Sequence, residues 1–151
     1  MLRLSKKMLF AIEAVLDIAY HANGETVQSR EITRRQGIPR RYLEQALQQL
    51  VRSRILVGVR GPRGGYLLAK ERRRTTVGEI VRVVHAMETT DDPLIHSFGS
   101  PLAQMVVRPL WLELQEGVMV KLESVTIEDL CSRAGLAGIA SEVRQSLDFS
   151  I

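Results

Sequence analysis

QGIPRRYLEQALQQLVRSRILVGVRGPRGGY, residues 36–66, holds the two patterns that decide the fold. Its first half repeats apolar residues at helical spacing. With a helix starting near Pro39 and about 100° per residue, Leu43, Ala46, Leu47 and Leu50 fall on one side. Arg40, Arg41, Glu44, Gln45, Gln48 and Arg52 fall together on the other. The apolar side is an ordinary core face. The polar side carries side chains that can meet base edges and phosphates: arginine for guanine, glutamine for adenine, glutamate for the cytosine amino group. Any solvated helix shows such residues, so the face takes its meaning from what flanks it.

Before it, Gln36-Gly37-Ile38-Pro39 makes a compact turn. Gly37 suits positive φ past a preceding helix, and Pro39 suits the first turn of the next. Two helices so joined form a helix-turn-helix, whose second helix can enter a major groove. After it, Ile55–Val59 is strand-like, Gly61-Pro62-Arg63-Gly64-Gly65 turns, and Tyr66-Leu67-Leu68 returns. A helix-turn-helix followed by a basic hairpin is a winged helix, with Arg60 and Arg63 at the wing tip. The expected fold class is mainly α with a small β wing.

The run LEQALQQLVRSRILVGVRGPRGGYLLAK (residues 43–70), followed by TTVGEIVRVV (75–84), resembles the IscR/NsrR/CymR family of small bacterial winged-helix transcription regulators. The likeness extends upstream through Leu4-Ser5-Lys6-Lys7 and Ala11–Ala19, resumes at Leu110-Trp111, and covers most of residues 1–123. The order and spacing of YLEQ, VRGPRGGYLL and VGEI make it specific. Cluster-binding members of the family carry Cys-x5-Cys-x5-Cys between the helix after the wing and the dimer helix. In one branch a histidine follows three residues later. Anchored on Leu110-Trp111, the third cysteine position falls at Met105 and the histidine position at Arg108. The second falls at Gly99 and the first near Pro93. The resemblance therefore implies the clusterless, CymR-like branch, with no cofactor, answering to a partner protein or a small molecule or else not regulated through this loop.

Charge divides the chain. Residues 1–74 carry 16 Lys+Arg against 6 Asp+Glu, a net of +10, and residues 75–151 carry 5 against 11, a net of −6, giving +4 in all. A basic half joined to an acidic half suggests a polyanion-binding module attached to something else. We read 1–74 as a DNA-binding winged helix-turn-helix and 75–151 as a helical linker, effector-loop and dimerisation region. One cysteine forms no internal disulfide, which suits a reducing cytoplasm. Glu13 and Asp17 interrupt the apolar N-terminal run, so neither a signal peptide nor a membrane span is expected.

Residues 5–21 predict a first helix capped by Ser5 and apolar nearly all round, hence covered on more than one side. Lys6 and Lys7 at its start read either as phosphate contacts, for which Lys6 is the candidate, or as simple solubilising charge. Val27 can add a short strand. Ser29–Arg35 is the helix before the turn, with Ile32 inward and Arg30, Arg34 and Arg35 as candidate phosphate contacts. Arg72-Arg73-Arg74 reads as a solvated linker or a clamp on flanking phosphates. Thr76-Val77-Gly78-Glu79 has capping-box spacing and opens a helix to about Met87, with Val77, Ile80, Val81 and Val84 inward. Thr89–Ser100 is a polar loop. Ser100-Pro101 starts the next helix, which Pro109 must kink or restart. Leu110, Leu114, Val118 and Leu122 then form a heptad-like seam beside Trp111, as a dimer interface would. Thr126-Ile127-Glu128-Asp129 opens a last helix with Cys131 in its core stripe. From Gly138 the chain reads as loosely ordered.

No Walker loop, zinc-protease helix or nucleophile elbow is present, and the wing glycines lie between strands, so enzyme and dinucleotide-binding readings fall away. What remains is a homodimer on double-stranded DNA with a pseudo-palindromic operator, expected to act as a repressor. Arg40, Arg41, Glu44 and Gln45 would face the major groove, with Gln48 a further DNA-binding residue; Arg60 and Arg63 would enter the adjacent minor groove. Two alternatives stand beside it. One is a metal or cluster sensor using Asp91, Asp92 or His96. The other is a protein-interaction adaptor that has lost DNA binding, against which the wing glycines and the basic half argue.

Overall fold

The computed structural model describes residues 4–22, 24–88 and 99–142. Helix α1 (Lys6–His21) begins where the Ser5 hydroxyl accepts the Met8 N–H at 3.3 Å. Met8, Ala11, Ala14, Val15, Ile18 and Ala19 are buried along it. Their all-round apolar character is explained by packing: helices α2 (Ser29–Gln36), α3 (Arg40–Arg52), α4 (Val77–Glu88) and α6 (Ile127–Leu136) all lie against α1. The apolar core thus runs through both charge halves of the chain.

Helix α2 closes on Gly37 at φ 67°, a left-handed conformation that a residue without Cβ adopts at little cost. Ile38 is buried in the turn, and Pro39 takes the N-cap rather than the first helical position of α3. Leu43, Ala46, Leu47 and Leu50 are buried, as the periodicity predicts. Past α3, Arg54 sits at φ 61° while the Ile55 N–H returns to the Leu50 carbonyl at 2.9 Å. The chain then enters strand β1 (Leu56–Val59), which pairs antiparallel with β2 (Gly65–Leu68) in the register Leu56↔Leu68 to Val59↔Gly65. Val27 adds a single bridge to Tyr66.

A 3-10 turn, Arg72–Arg74, leads into α4, whose capping box is complete. The Glu79 N–H donates to Thr76 Oγ1 at 3.2 Å and the Thr76 N–H donates to Glu79 Oε2 at 2.9 Å. Thr126 and Asp129 repeat the device at α6, and a Thr76↔Thr126 bridge ties the two starts together. Accepting the Thr126 backbone and side-chain hydrogen bonds holds the Asp129 carboxyl below its usual range.

Pro109 neither breaks nor sharply restarts its helix. Residues Ala103–Val107 form a π-helical segment, and α5 (Arg108–Glu123) continues from it. The Arg108 N–H reaches back to the Ala103 carbonyl, so the widened turn absorbs the donor that proline lacks.

The expectation of loose order from Gly138 is corrected for residues 139–142. The Tyr20 hydroxyl donates to the Ile139 carbonyl, Ser141 Oγ donates to the Tyr20 carbonyl at 3.0 Å, and the Glu142 N–H donates to His21 Nδ1 at 3.2 Å. The Glu142 carboxylate meets Arg34 at 2.9 Å and Arg35 at 2.7 Å. Burial and then the Arg35 charge lower the pKa of His21, outweighing the Asp17 and Glu142 carboxylates. Partial burial pushes the Glu142 carboxyl up, but the Arg34 hydrogen bond and the Arg35 and Arg34 charges outweigh it and hold the carboxyl low. Among the described residues, no helix is long and apolar enough to cross a membrane.

Candidate nucleic-acid interface

Helix α3 presents Arg40, Arg41, Glu44, Gln45, Gln48 and Arg52 to solvent because its opposite face is sunk in the core. Arg40 Nε donates to Glu44 Oε1 at 2.9 Å, one turn along the helix, so the two side chains orient each other. Between this face, the start of α2 and the wing runs a cleft lined by Arg30, Arg40, Gln48, Arg52, Arg60 and Tyr66. The sequence places Arg52 on the polar face without assigning it a contact; in the structure it lines this cleft, as Arg60 does. Gln28 and Ser29, at the start of α2, line it as well and carry no comparable signal.

The wing holds its shape through close backbone approach. A Cβ on Gly65 would lie 2.6 Å from the Val27 carbonyl oxygen, at the point where Val27 and Tyr66 exchange backbone hydrogen bonds of 3.0 and 2.8 Å. Thr26 Oγ1 also donates to the Arg63 carbonyl at 2.7 Å. The tip is thereby fixed to the body while Arg60 and Arg63 remain exposed.

Lys6, Arg30 and Arg34 are exposed. Arg35 is not, and its assignment as a phosphate contact is corrected. Its guanidinium makes a two-point pair with Asp17, 2.9 Å from Nε and 2.8 Å from Nη2, with side chains only 10% and 0% exposed. Gln36 Nε2 adds a third hydrogen bond to the same carboxylate at 2.8 Å. The Asp17 bond holds the Arg35 pKa above its ordinary value. Arg35 therefore fastens α2 to α1. Arg72 is likewise engaged, 2.5 Å from Glu128, and Arg73 pairs with Glu71 at 2.6 Å.

On α5, Leu110 and Leu114 are each 53% exposed and Val118 45%, with Trp111 beside them. Leu122 departs from this seam and packs against the chain's own core. Asp91, Asp92, Pro93 and His96 lie outside the described residues. Among the described residues, no three His, Cys, Asp or Glu side chains gather as a metal site.

A solvent-facing reading helix behind a tight turn, with a basic hairpin beside it, defines a winged-helix DNA-binding regulator. A family model described as "Rrf2: Iron-dependent Transcriptional regulator" matches residues 4–133, and the chain belongs to the Rrf2 family. It is 31% identical over 149 residues to the HTH-type transcriptional regulator IscR of Pectobacterium atrosepticum, covering 97% of this chain and 88% of the relative. The IscR of Yersinia pestis is 32% identical over 151 residues at the same coverage. Among solved structures, T. potens IscR superposes with TM-score 0.71 at 31% identity, covering 93% of each chain. CymR, the global cysteine regulator of B. subtilis, gives 0.69 at 26% identity, covering 88% of this chain and 98% of that one.

The family description raises the question of iron. A two-iron cluster needs four protein ligands, mostly thiolates. The positions that the resemblance assigns to ligands hold Gly99, Met105, Arg108 and a residue near Pro93, and none supplies a thiolate or an imidazole. Cys131 is buried in α6, where burial pushes its thiol up by more than the adjacent Arg72 pulls it down. This donor set does not fit a thiolate-held cluster.

Proposed function

We propose that two copies of this chain bind a pseudo-palindromic operator as a cytoplasmic repressor without an iron–sulfur cluster. The observation that carries the reading is the cleft in which Arg40, Gln48 and Arg52 of α3 and Arg60 of the wing come together. A duplex laid across it would place Arg40, Arg41, Glu44, Gln45 and Gln48 toward major-groove base edges. Arg60 and Arg63 would reach the adjacent minor groove. Lys6, Arg30 and Arg34 would hold phosphates, which position the protein without reading sequence.

The donor chemistry supports cluster independence, and anaerobic purification tests it directly. The protein is expected to be colourless, without stoichiometric iron and sulfide. Cys131→Ser should retain wild-type affinity for the genomic fragments that the protein selects. Brown protein whose DNA binding changes on loss of about two irons per subunit would instead establish a sensor with unconventional ligands.

A further inference from the structure

Between the C-terminal end of α1, the 3-10 turn and α6 lies a cavity of about 660 Å³, which shares no lining residue with the DNA cleft. Its size suits a small molecule, for which pockets run to about 300–1,000 Å³. Two opposite charges stand in its wall. Arg72 Nε donates to Glu128 Oε2 at 2.5 Å, with side chains 46% and 42% exposed. A pair so open to water is weakly held and readily shared with a ligand. This bond and a hydrogen bond to Cys131 engage part of the guanidinium and one carboxylate oxygen, leaving further donors on Arg72 and acceptor capacity on Glu128. Ala19 and Ala22 supply apolar wall, and Leu136, 91% exposed, stands at the edge.

We infer that this cavity binds an α-amino acid with an apolar side chain. Its carboxylate would meet the Arg72 fork, its ammonium would meet Glu128, and its side chain would cover Ala19, Ala22 and Leu136. The charged pair in the wall is neutral overall, so a simple anion or cation leaves one pole unmatched, whereas a zwitterion matches both. Occupancy would reach both arms of the DNA-binding surface. Arg72 lies in the turn that directly follows β2 of the wing. Ser141, also in the wall, precedes Glu142, which pairs with Arg34 and Arg35 of α2. The regulatory consequence rests on the DNA-binding reading above; the binding itself does not.

Calorimetry on the full chain without DNA tests the site, using L-leucine, 4-methylpentanoate (no ammonium) and 3-methylbutylamine (no carboxylate). Leucine should bind saturably, one per chain, and each analogue should bind at least about ten-fold more weakly, the loss of one charge-assisted contact. Arg72→Gln should abolish binding, as should Ser132→Leu, which puts a larger apolar side chain into the cavity wall from an exposed position of α6, one turn after Glu128. Fluorescence anisotropy with a selected genomic fragment should then show DNA affinity changing about five-fold or more at saturating leucine in wild type but not in Ser132→Leu. Absent leucine binding or equal binding of the analogues overturns the inference, and unaltered DNA affinity at saturation overturns its regulatory consequence. A ligand-free chain that ignores DNA counts against the regulator reading instead, and the calorimetric result tells the two failures apart.

Discussion

Glu44 and Arg40 share a hydrogen-bonded ion pair on the exposed face of α3. Glu44 can accept from a cytosine amino group but repels phosphate, so at a base edge it would act by excluding wrong sites more than by adding affinity. Glu44→Ala is expected to broaden the sequences recovered in a binding selection, with little loss on nonspecific DNA; recovery of the wild-type motif unchanged removes Glu44 from the reading surface. Arg40→Ala or Arg41→Ala should weaken the selected site by about 1–3 kcal/mol where that arginine makes a two-point guanine contact. Asp17 makes a different kind of prediction. Its buried carboxylate accepts from Arg35 twice and from Gln36 once, so Asp17→Asn leaves the buried guanidinium with only the partly exposed Glu142 carboxylate as its charged partner. The cost should be about 3–5 kcal/mol, lowering the thermal midpoint by on the order of 10 °C; an unshifted melting curve would refute the structural role given to this pair. These residues were unequally legible. The Thr76–Glu79 and Thr126–Asp129 caps can be read because both partners sit three positions apart. Arg35 reads as one more arginine in a basic helix, since its partner lies eighteen residues away on α1 and nothing local announces the pair.

At the scale of elements, the wing is the part whose function is most open to measurement. Its base is closed by the Gly65–Val27 approach, and its tip carries Arg60 and Arg63 into solvent beside the cleft. Replacing both with alanine should reduce DNA affinity and flatten its salt dependence by up to about two counterion units. An unchanged slope of log affinity against log salt would mean that the hairpin does not touch DNA. The wing and α3 were legible because period-two and period-3.6 patterns alternate cleanly with turn residues there. Pro109 announced a disturbance but not its form. Whether a helix kinks, restarts or widens into a π turn depends on the packing of its neighbours, which the local sequence does not contain. Arg54, held at φ 61° after α3, was equally silent, because glycine or asparagine is the usual sign of that conformation.

For the whole molecule, the apolar surface of α1 foretold that several elements must cover it, and α2, α3, α4 and α6 do so. The docking of residues 139–142 onto α1 and α2 went unread because it joins positions more than a hundred apart and has no periodicity. The seam on α5 poses the remaining question at this scale. Leu110, Trp111, Leu114 and Val118 are all exposed in the single chain, whereas Leu122 and Met119 turn to the core. The helix therefore has an inner face already satisfied and an outer apolar stripe with no cover among the described residues. A second copy related by a two-fold axis would bury that stripe against itself and set two reading helices for two half-sites. Leu114 lies midway along the stripe, so Leu114→Glu would bring a carboxylate from each subunit into one apolar contact. Light scattering should then find a monomer, circular dichroism should show the helical content retained, and operator binding should be lost because one half-site offers too few contacts. Because Leu114 is half-exposed in the isolated chain, unfolding of the monomer is not the expected cost. Wild-type protein that is monomeric at micromolar concentration yet binds one operator tightly would contradict this assembly and assign the α5 stripe to a different partner.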